Sequence, residues 1–349
     1  MIDMKKILTF ILCAMALNTS AQQTVEGTTY FLPKTAVQFR ILIEKTTYTP
    51  GELALYAEKY MKMQNTNENP SVEYRILSTT SNSYGIPDTT KQHTAIVDKK
   101  HSIIRINKYA NGMLLAINAE PKTIEGAKDF KAAPKPAAVN PRDFMNADIL
   151  SAGSKAKMAE LIAQDIYDIR ESRNQLSRGE ADFMPKDGEQ LKIMLANLSK
   201  QENALMQVFE GTTVKDTIEK VINFIPEKEV NKQVLFRLSS KLGLVDSDDL
   251  SGRPFYISVT DLHSIPPLKL DIDTKKSKDD CGVYVNLPGS IRISLYDGNK
   301  QYKSFDIYAA QFGRTESISG ELFGKKFTTH IVLNPVTGNA DELKTEPLE

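Results

Sequence analysis

Apolar residues recur with a helical period in one long stretch of this chain, residues 151–209, and alternate in β-branched runs on both sides of it. In the first half of that stretch Met158, Ile162, Ile166 and Ile169 follow at spacings of four, four and three. Leu161 widens this stripe and Leu176 extends it, while Lys157, Asp165, Asp168 and Glu171 fall mostly off it. That is the signature of an amphipathic helix with one buried face. Gly179 stands where a left-handed C-cap belongs, and Pro185 cannot continue a helix. Asp187, with Gln190 three positions on, has the spacing of a capping box. The second stripe is Leu191, Leu195, Leu198, Leu205 and Phe209, and Gly211 stops it. The pattern predicts an antiparallel pair of helices over residues 151–211.

One charge interrupts each stripe, Arg173 and Glu202. If Arg178 faces Asp187 across the turn, Arg173 lies opposite Lys192 and Glu202 opposite Ala163. The two charges are then more than two turns apart along the seam. The expectation is that each snorkels at the seam edge or meets a flanking sheet. Arg170, Arg173 and Glu202 are accordingly the candidate interaction or interdomain residues.

Before the helical pair the chain reads as strands with one short helix. Residues 28–32 and 36–45 are rich in β-branched and aromatic residues, and Val72, Tyr74 and Ile76 alternate with other side chains. Thr49-Pro50-Gly51-Glu52 has the form of a helix start, with Thr49 as N-cap and Leu53, Tyr56, Ala57 and Tyr60 on one face. Residues 103–109 and 113–118 flank Asn111-Gly112, a tight hairpin turn. Residues 121–150 are rich in proline and alanine and read as a linker. After Gly211, residues 213–225, 234–239, 255–262, 283–287, 290–296, 302–309 and 326–333 read as strands. The expected architecture is α+β. Two β-rich units, 22–120 and 212–349, each an antiparallel sheet or sandwich-like, flank the central helical hairpin.

Composition changes this picture little. At 349 residues, with 44 basic and 44 acidic side chains, the chain can bury a large core. It lacks the basic excess of a nucleic-acid binder. Tryptophan is absent, which weakens a sugar-stacking reading. The N-terminus is more informative. Lys5 and Lys6 precede an apolar run over residues 7–17, and Thr19 and Ala21 suit signal-peptidase cleavage before Gln22. The run is too short for a lasting membrane anchor. Leu12 departs from the small residue a lipobox wants before Cys13. The expectation is a periplasmic or secreted protein that begins at Gln22 and is not a lipoprotein. Cys281 is then the single thiol, so no internal disulfide forms.

No stretch of the chain carries a complete chemical motif. Gly320-Glu321-Leu322-Phe323-Gly324-Lys325-Lys326 has three residues between its glycines and Lys326 where a phosphate loop needs Ser or Thr, so it reads as a strand turn. Asp271, Asp273, Asp279 and Asp280 are interleaved with lysines and lack the glycine and glutamate of a calcium loop. His93, His101, His263 and His330 share no metal-ligand spacing. Only His263 lies near enough in sequence to serve Cys281 as a base, which favours a structural cysteine. No catalytic residue, metal or cofactor is assigned.

The chain resembles a Bacteroidota family of exported proteins of unknown function over nearly its whole mature length. The resemblance rests on Tyr48-Thr49-Pro50-Gly51-Glu52 with Tyr56-Ala57-Glu58-Lys59-Tyr60, Ile169-Arg170-Glu171-Ser172-Arg173 with Gly179-Glu180, Pro185-Lys186-Asp187-Gly188, Phe209-Glu210-Gly211 and Gln311-Phe312-Gly313. It implies an envelope protein and carries over no catalytic residues. The leading expectation is a non-enzymatic module that binds an envelope partner or ligand. The alternatives are a glycan- or peptide-acting hydrolase with a carboxylate pair in a deep cleft, and a scaffold in which the helices set the angle between two sheets.

Overall fold

A computed structural model describes residues 27–64, 66–122, 130–135, 137–266 and 280–347. The export segment and its cleavage site lie outside the described residues, as do Asp271, Asp273 and Asp279. In chain order the strands are β1 (Gly27–Thr49), β2 (Ser71–Ile96), β3 (Ile106–Lys108), β4 (Leu114–Ile117), β5 (Thr212–Phe224), β6 (Val230–Ser239), β7 (Gly243–Val245), β8 (Arg253–Asp261), β9 (Asp280–Asp297), β10 (Lys300–Ser319), β11 (Phe327–Leu333) and β12 (Ala340–Pro347). The α-helices are α1 (Ala57–Met61), α2 (Ala147–Leu150), α3 (Lys155–Arg178) and α4 (Gly188–Glu210). The protein thus combines three antiparallel sheets, ordered β2-β1-β5, β10-β9-β8-β6-β7 and β12-β11-β4-β3, with a central pair of helices.

β1 threads the molecule. The alternation pattern predicts two strands separated near Pro33, and the structure has one of 23 residues. Proline lacks an N–H and is tolerated where a ladder is already interrupted. Here the pairing with β2 jumps from Phe31↔Gln92 to Pro33↔Pro87, so residues 88–91 bulge out of β2. The bulge also switches the buried face of β1. Tyr30 and Leu32 are buried before it, and Val37, Phe39, Ile41 and Ile43 after it. A one-residue change of phase does this because strand side chains alternate with a period of two.

The two halves of β1 therefore serve different cores. Tyr30 and Leu32 pack with Ile117, Val283 and Ile331. Val37 and Phe39 pack with Ile257, Ile291 and Ile293, and Ile41 and Ile43 with Phe236 and Phe255. The last two clusters close the β1 sheet onto the β9 sheet as a sandwich. Strands from both sides of the helices share sheets, since β5 joins β1 and β2 while β3 and β4 join β11 and β12. The expected boundary at residue 212 does not separate one sheet from another.

The helices have a core of their own. Leu53, Ala57, Ile149, Ile162, Ile166, Leu205 and Phe209 belong to it, and none of its residues lies on a strand. It is tied to the end of β1. Leu53 N donates to Val208 O at 2.8 Å, and Tyr48 Oη donates to Glu210 O at 2.9 Å. Gly51 lies so close that a Cβ there would sit 2.2 Å from Val208 O. This approach overturns the capping expectation at Thr49. Thr49 is the last residue of β1, paired with Thr212. A 3-10 turn, Ala54–Tyr56, precedes α1 without a side-chain cap. Within the expected linker, Asn140 and Asn146 cap a 3-10 turn (Pro141–Phe144) and α2.

The register of α3 and α4 also departs from expectation. Gly179 caps α3 with φ +74° and Asp187 caps α4, as the sequence predicts. Arg178 does not face Asp187, however. Glu202 meets both Arg170 and Arg173. Residues 179–187 are an open connection instead of a tight turn, so α4 starts farther out and roughly two turns of it run past the end of α3. Its buried residues all fall from Glu202 onward, while Ile193 and Met194 are exposed.

Candidate functional site

The β2 bulge presents the polar groups that gather most tightly. Asp88 sits in it, buried, accepting from Thr90 N at 3.0 Å and Thr90 Oγ1 at 2.7 Å. That closed loop turns Lys91 toward β9, where its Nζ donates to Asn286 Oδ1 at 3.2 Å. Asn286 is itself held by donation from its Nδ2 to Pro33 O and Thr337 O, both at 2.9 Å. Burial pushes the Lys91 ammonium below its ordinary pKa, opposed by the nearby Asp88 carboxylate.

Two residues on, His93 pairs with Tyr30 in the β1–β2 ladder. Its ring stacks on Tyr284 of β9, with centroids 4.2 Å apart and planes 18° from parallel. Tyr284 Oη donates to Asp280 Oδ2 at 2.8 Å, and Gly282 N donates to Asp280 Oδ1 at 2.8 Å. Beneath them Tyr30 is fully buried. Its hydroxyl donates to Gly282 O at 2.9 Å and accepts from Tyr284 N at 2.8 Å. Gly282 has φ +71°, and a Cβ there would meet Thr94 O at 2.0 Å. Only glycine lets β9 cross the end of β2 this closely.

Around this stack lies an open groove of 620 Å³, lined by Thr29, Gln92, His93, Thr94, Asp280 and Tyr284 among others. His93 Nε2 is buried and has no hydrogen-bond partner among the described residues. Burial first, and then the Lys91 charge, depress the His93 pKa, so the ring is neutral at pH 7. Tyr284 is held in its phenol form by its bond to Asp280 and by burial. Cys281, next to Asp280, is buried, and burial raises its thiol pKa. A thiol in that state is a poor nucleophile. His263, the base considered for it, is an exposed side chain 3.3 Å from Asp261. Among the described residues the site therefore offers aromatic faces, hydroxyls, an amide and one carboxylate, with no nucleophile paired to a base.

The residues singled out in the sequence lie elsewhere. Arg170 Nε donates to Glu202 Oε1 at 2.7 Å and Arg173 Nη1 to Glu202 Oε2 at 2.6 Å. Arg170 also stacks over the Tyr167 ring at 5.7 Å and donates to Met206 Sδ at 3.7 Å. The three charges thus join α3 to α4, and Arg173 meets Glu202 where the expected register set them more than two turns apart. His93 and Tyr284 are almost two hundred positions apart in sequence, and no local spacing links them. Asp280, His93 and Cys281 each stand out in the sequence, but no spacing there ties one to another. Among the described residues no group of three or more His, Cys, Asp or Glu is placed to hold a metal. No helix among them is long and apolar enough to cross a membrane.

A family model described as a domain of unknown function, DUF4831, matches residues 26–341. No curated protein matches the chain, and no solved structure does.

Proposed function

The chain belongs to the DUF4831 family, whose description assigns no activity, and we propose that it is an exported, non-enzymatic binding module that takes a small hydroxyl- or amide-rich ligand in the His93–Tyr284 groove. Export to the periplasm or beyond rests on the leader at residues 1–21. An envelope setting in a Bacteroidota cell rests on the resemblance in sequence. The observation that carries the binding reading is the His93 Nε2, unpartnered among the described residues, beside a groove lined by Thr29, Gln92, Thr94, Asp280 and Tyr284. A buried polar atom without a partner costs about 1–3 kcal/mol, and such atoms call for a functional reason. A ligand group that met this nitrogen as the imidazole turned toward the groove would recover that energy.

Carboxylate placement favours binding over hydrolysis. Glu342 and Glu346 share a groove of 280 Å³ with Lys344 between them on β12. Four residues of extended strand set their backbones roughly 13 Å apart, so the two side chains must lean together to reach the roughly 9.5 Å or less at which paired carboxylates work on a glycosidic bond. The separate helical core weighs against the scaffold reading, because no strand residue enters it.

The binding reading is tested by titrating mature protein with mono- and disaccharides and with short peptides while the His93 imidazole is followed by NMR. Saturable shifts at His93 that vanish in Tyr284→Ala are expected. Shifts absent for both ligand sets, or spread equally over all four histidines, would overturn it.

A further inference from the structure

On the other side of the β2–β9 crossing, two loops more than two hundred residues apart in sequence are locked together. Ser102 N donates to Phe323 O at 2.5 Å, and Ser102 Oγ donates to Phe327 O at 2.7 Å. Ile103 and Phe323, both buried, share the core beneath. Each loop is also shaped from within. Asp98 Oδ1 accepts from Lys100 N at 2.8 Å and His101 N at 2.9 Å, and lies 2.8 Å from His101 Nδ1. The opposite loop is a 3-10 turn, Gly320–Phe323, closed by Gly324 N donating to Glu321 O and Phe327 N to Gly324 O.

Between them lies a groove of 380 Å³ lined by Lys100, His101, Glu321, Gly324, Lys325 and Lys326. Lys100, Lys325 and Lys326 have no ion-pair partner among the described residues. Three ammonium groups beside the carboxylates of Glu321 and Asp98 leave a local excess of positive charge in a chain of zero formal net charge. The loops fix the backbone that carries that charge before any ligand arrives, which lowers the ordering cost of binding.

We infer that this groove binds a phosphate monoester through Lys100, Lys325 and Lys326, with the Asp98-held His101 ring as one wall. A phosphate monoester carries close to two negative charges and three acceptor oxygens at pH 7, which suits three lysines better than a single carboxylate does. The site is independent of the His93 groove. The Gly320–Lys326 stretch departs from a phosphate loop in its own spacing and gains the character of an anion site only through Lys100 and His101 from the other loop.

The test is calorimetric titration of mature protein with inorganic phosphate and pyrophosphate, beside sedimentation with phosphatidylcholine vesicles with and without phosphatidic acid. Saturable binding is expected to weaken roughly tenfold or more in the Lys325→Gln/Lys326→Gln double variant and to weaken as salt rises. Lys100→Gln is expected to act in the same direction, and Glu321→Gln to tighten binding by removing the opposing charge. These side chains are exposed, so unchanged unfolding midpoints will show that the fold is intact. Binding of the soluble anions assigns a free phosphate ligand. Capture only by vesicles containing phosphatidic acid assigns a lipid headgroup. Binding of neither, or binding unchanged in both lysine variants, overturns the site.

Discussion

Tyr30 shows how much one side chain can join. Its hydroxyl serves Gly282 O and Tyr284 N at once, so it fixes the strand that carries the groove. Burial, the largest influence, raises its pKa well above the ordinary tyrosine value. Tyr30→Phe keeps the ring but leaves two buried backbone groups unpaired. A loss of about 1–3 kcal/mol per unsatisfied group is expected, read as a lower urea midpoint. His93 sets a pH response. With its folded pKa held below the ordinary 6.5, the native state binds fewer protons than the unfolded chain does. Its contribution is therefore intact above 6.5 and is lost as pH falls from 6.5 toward the folded value. Stability measured down that range is expected to fall less steeply in His93→Phe. An equal slope in both proteins would remove His93 from the account.

Among the elements, α4 is the least evenly anchored. Its C-terminal half carries Leu205, Val208 and Phe209 into the helical core, while its first turns have no helix opposite. Glu202 closes the covered half through two arginines that keep about a third of their side-chain surface in water. Glu202→Ala frees those arginines to hydrate, so a cost of about 1–3 kcal/mol is expected, confined to the helices. Because the helical core shares no residue with the sheets, α3 and α4 should open without unfolding β1. Hydrogen exchange in Glu202→Ala should speed up along α3 and α4 and leave β1 and β9 unchanged. Matching acceleration in the strands would mean one cooperative unit.

For the whole molecule, β1 is the common member of three cores, so loss of its ladder removes all of them together. Cys281 reports that event. It lies in the first of those cores, fully buried, with its Sγ 3.8 Å from Ile318 O. Alkylation at neutral pH is expected to be very slow in the native protein and to follow global unfolding in urea. Rapid labelling without denaturant would show that the β2–β9 crossing opens by itself.

Local order was open to the sequence wherever a periodic stripe and its punctuation fell within one stretch. Ile162, Ile166 and Ile169 with Gly179 and Asp187 defined both helices, and Asn111-Gly112 marked the β3–β4 hairpin. Much of β2 was not legible. Ser78, Thr79, Thr80, Ser81 and Asn82 carry no apolar alternation, and that part of the strand is stabilised by its ladder with β1. The sequence by itself determined the two long helices and the neutral charge, because these depend on neighbouring residues or on sums over the chain. Tertiary structure alone decided the face switch at Pro33, the helix register that joins Arg170 and Arg173 to Glu202, and both grooves. Those depend on distances between residues far apart in the chain: His93 reaches Tyr284, and Lys100 reaches Lys326, only after β2, β9 and β11 have found their places in the packed sheets.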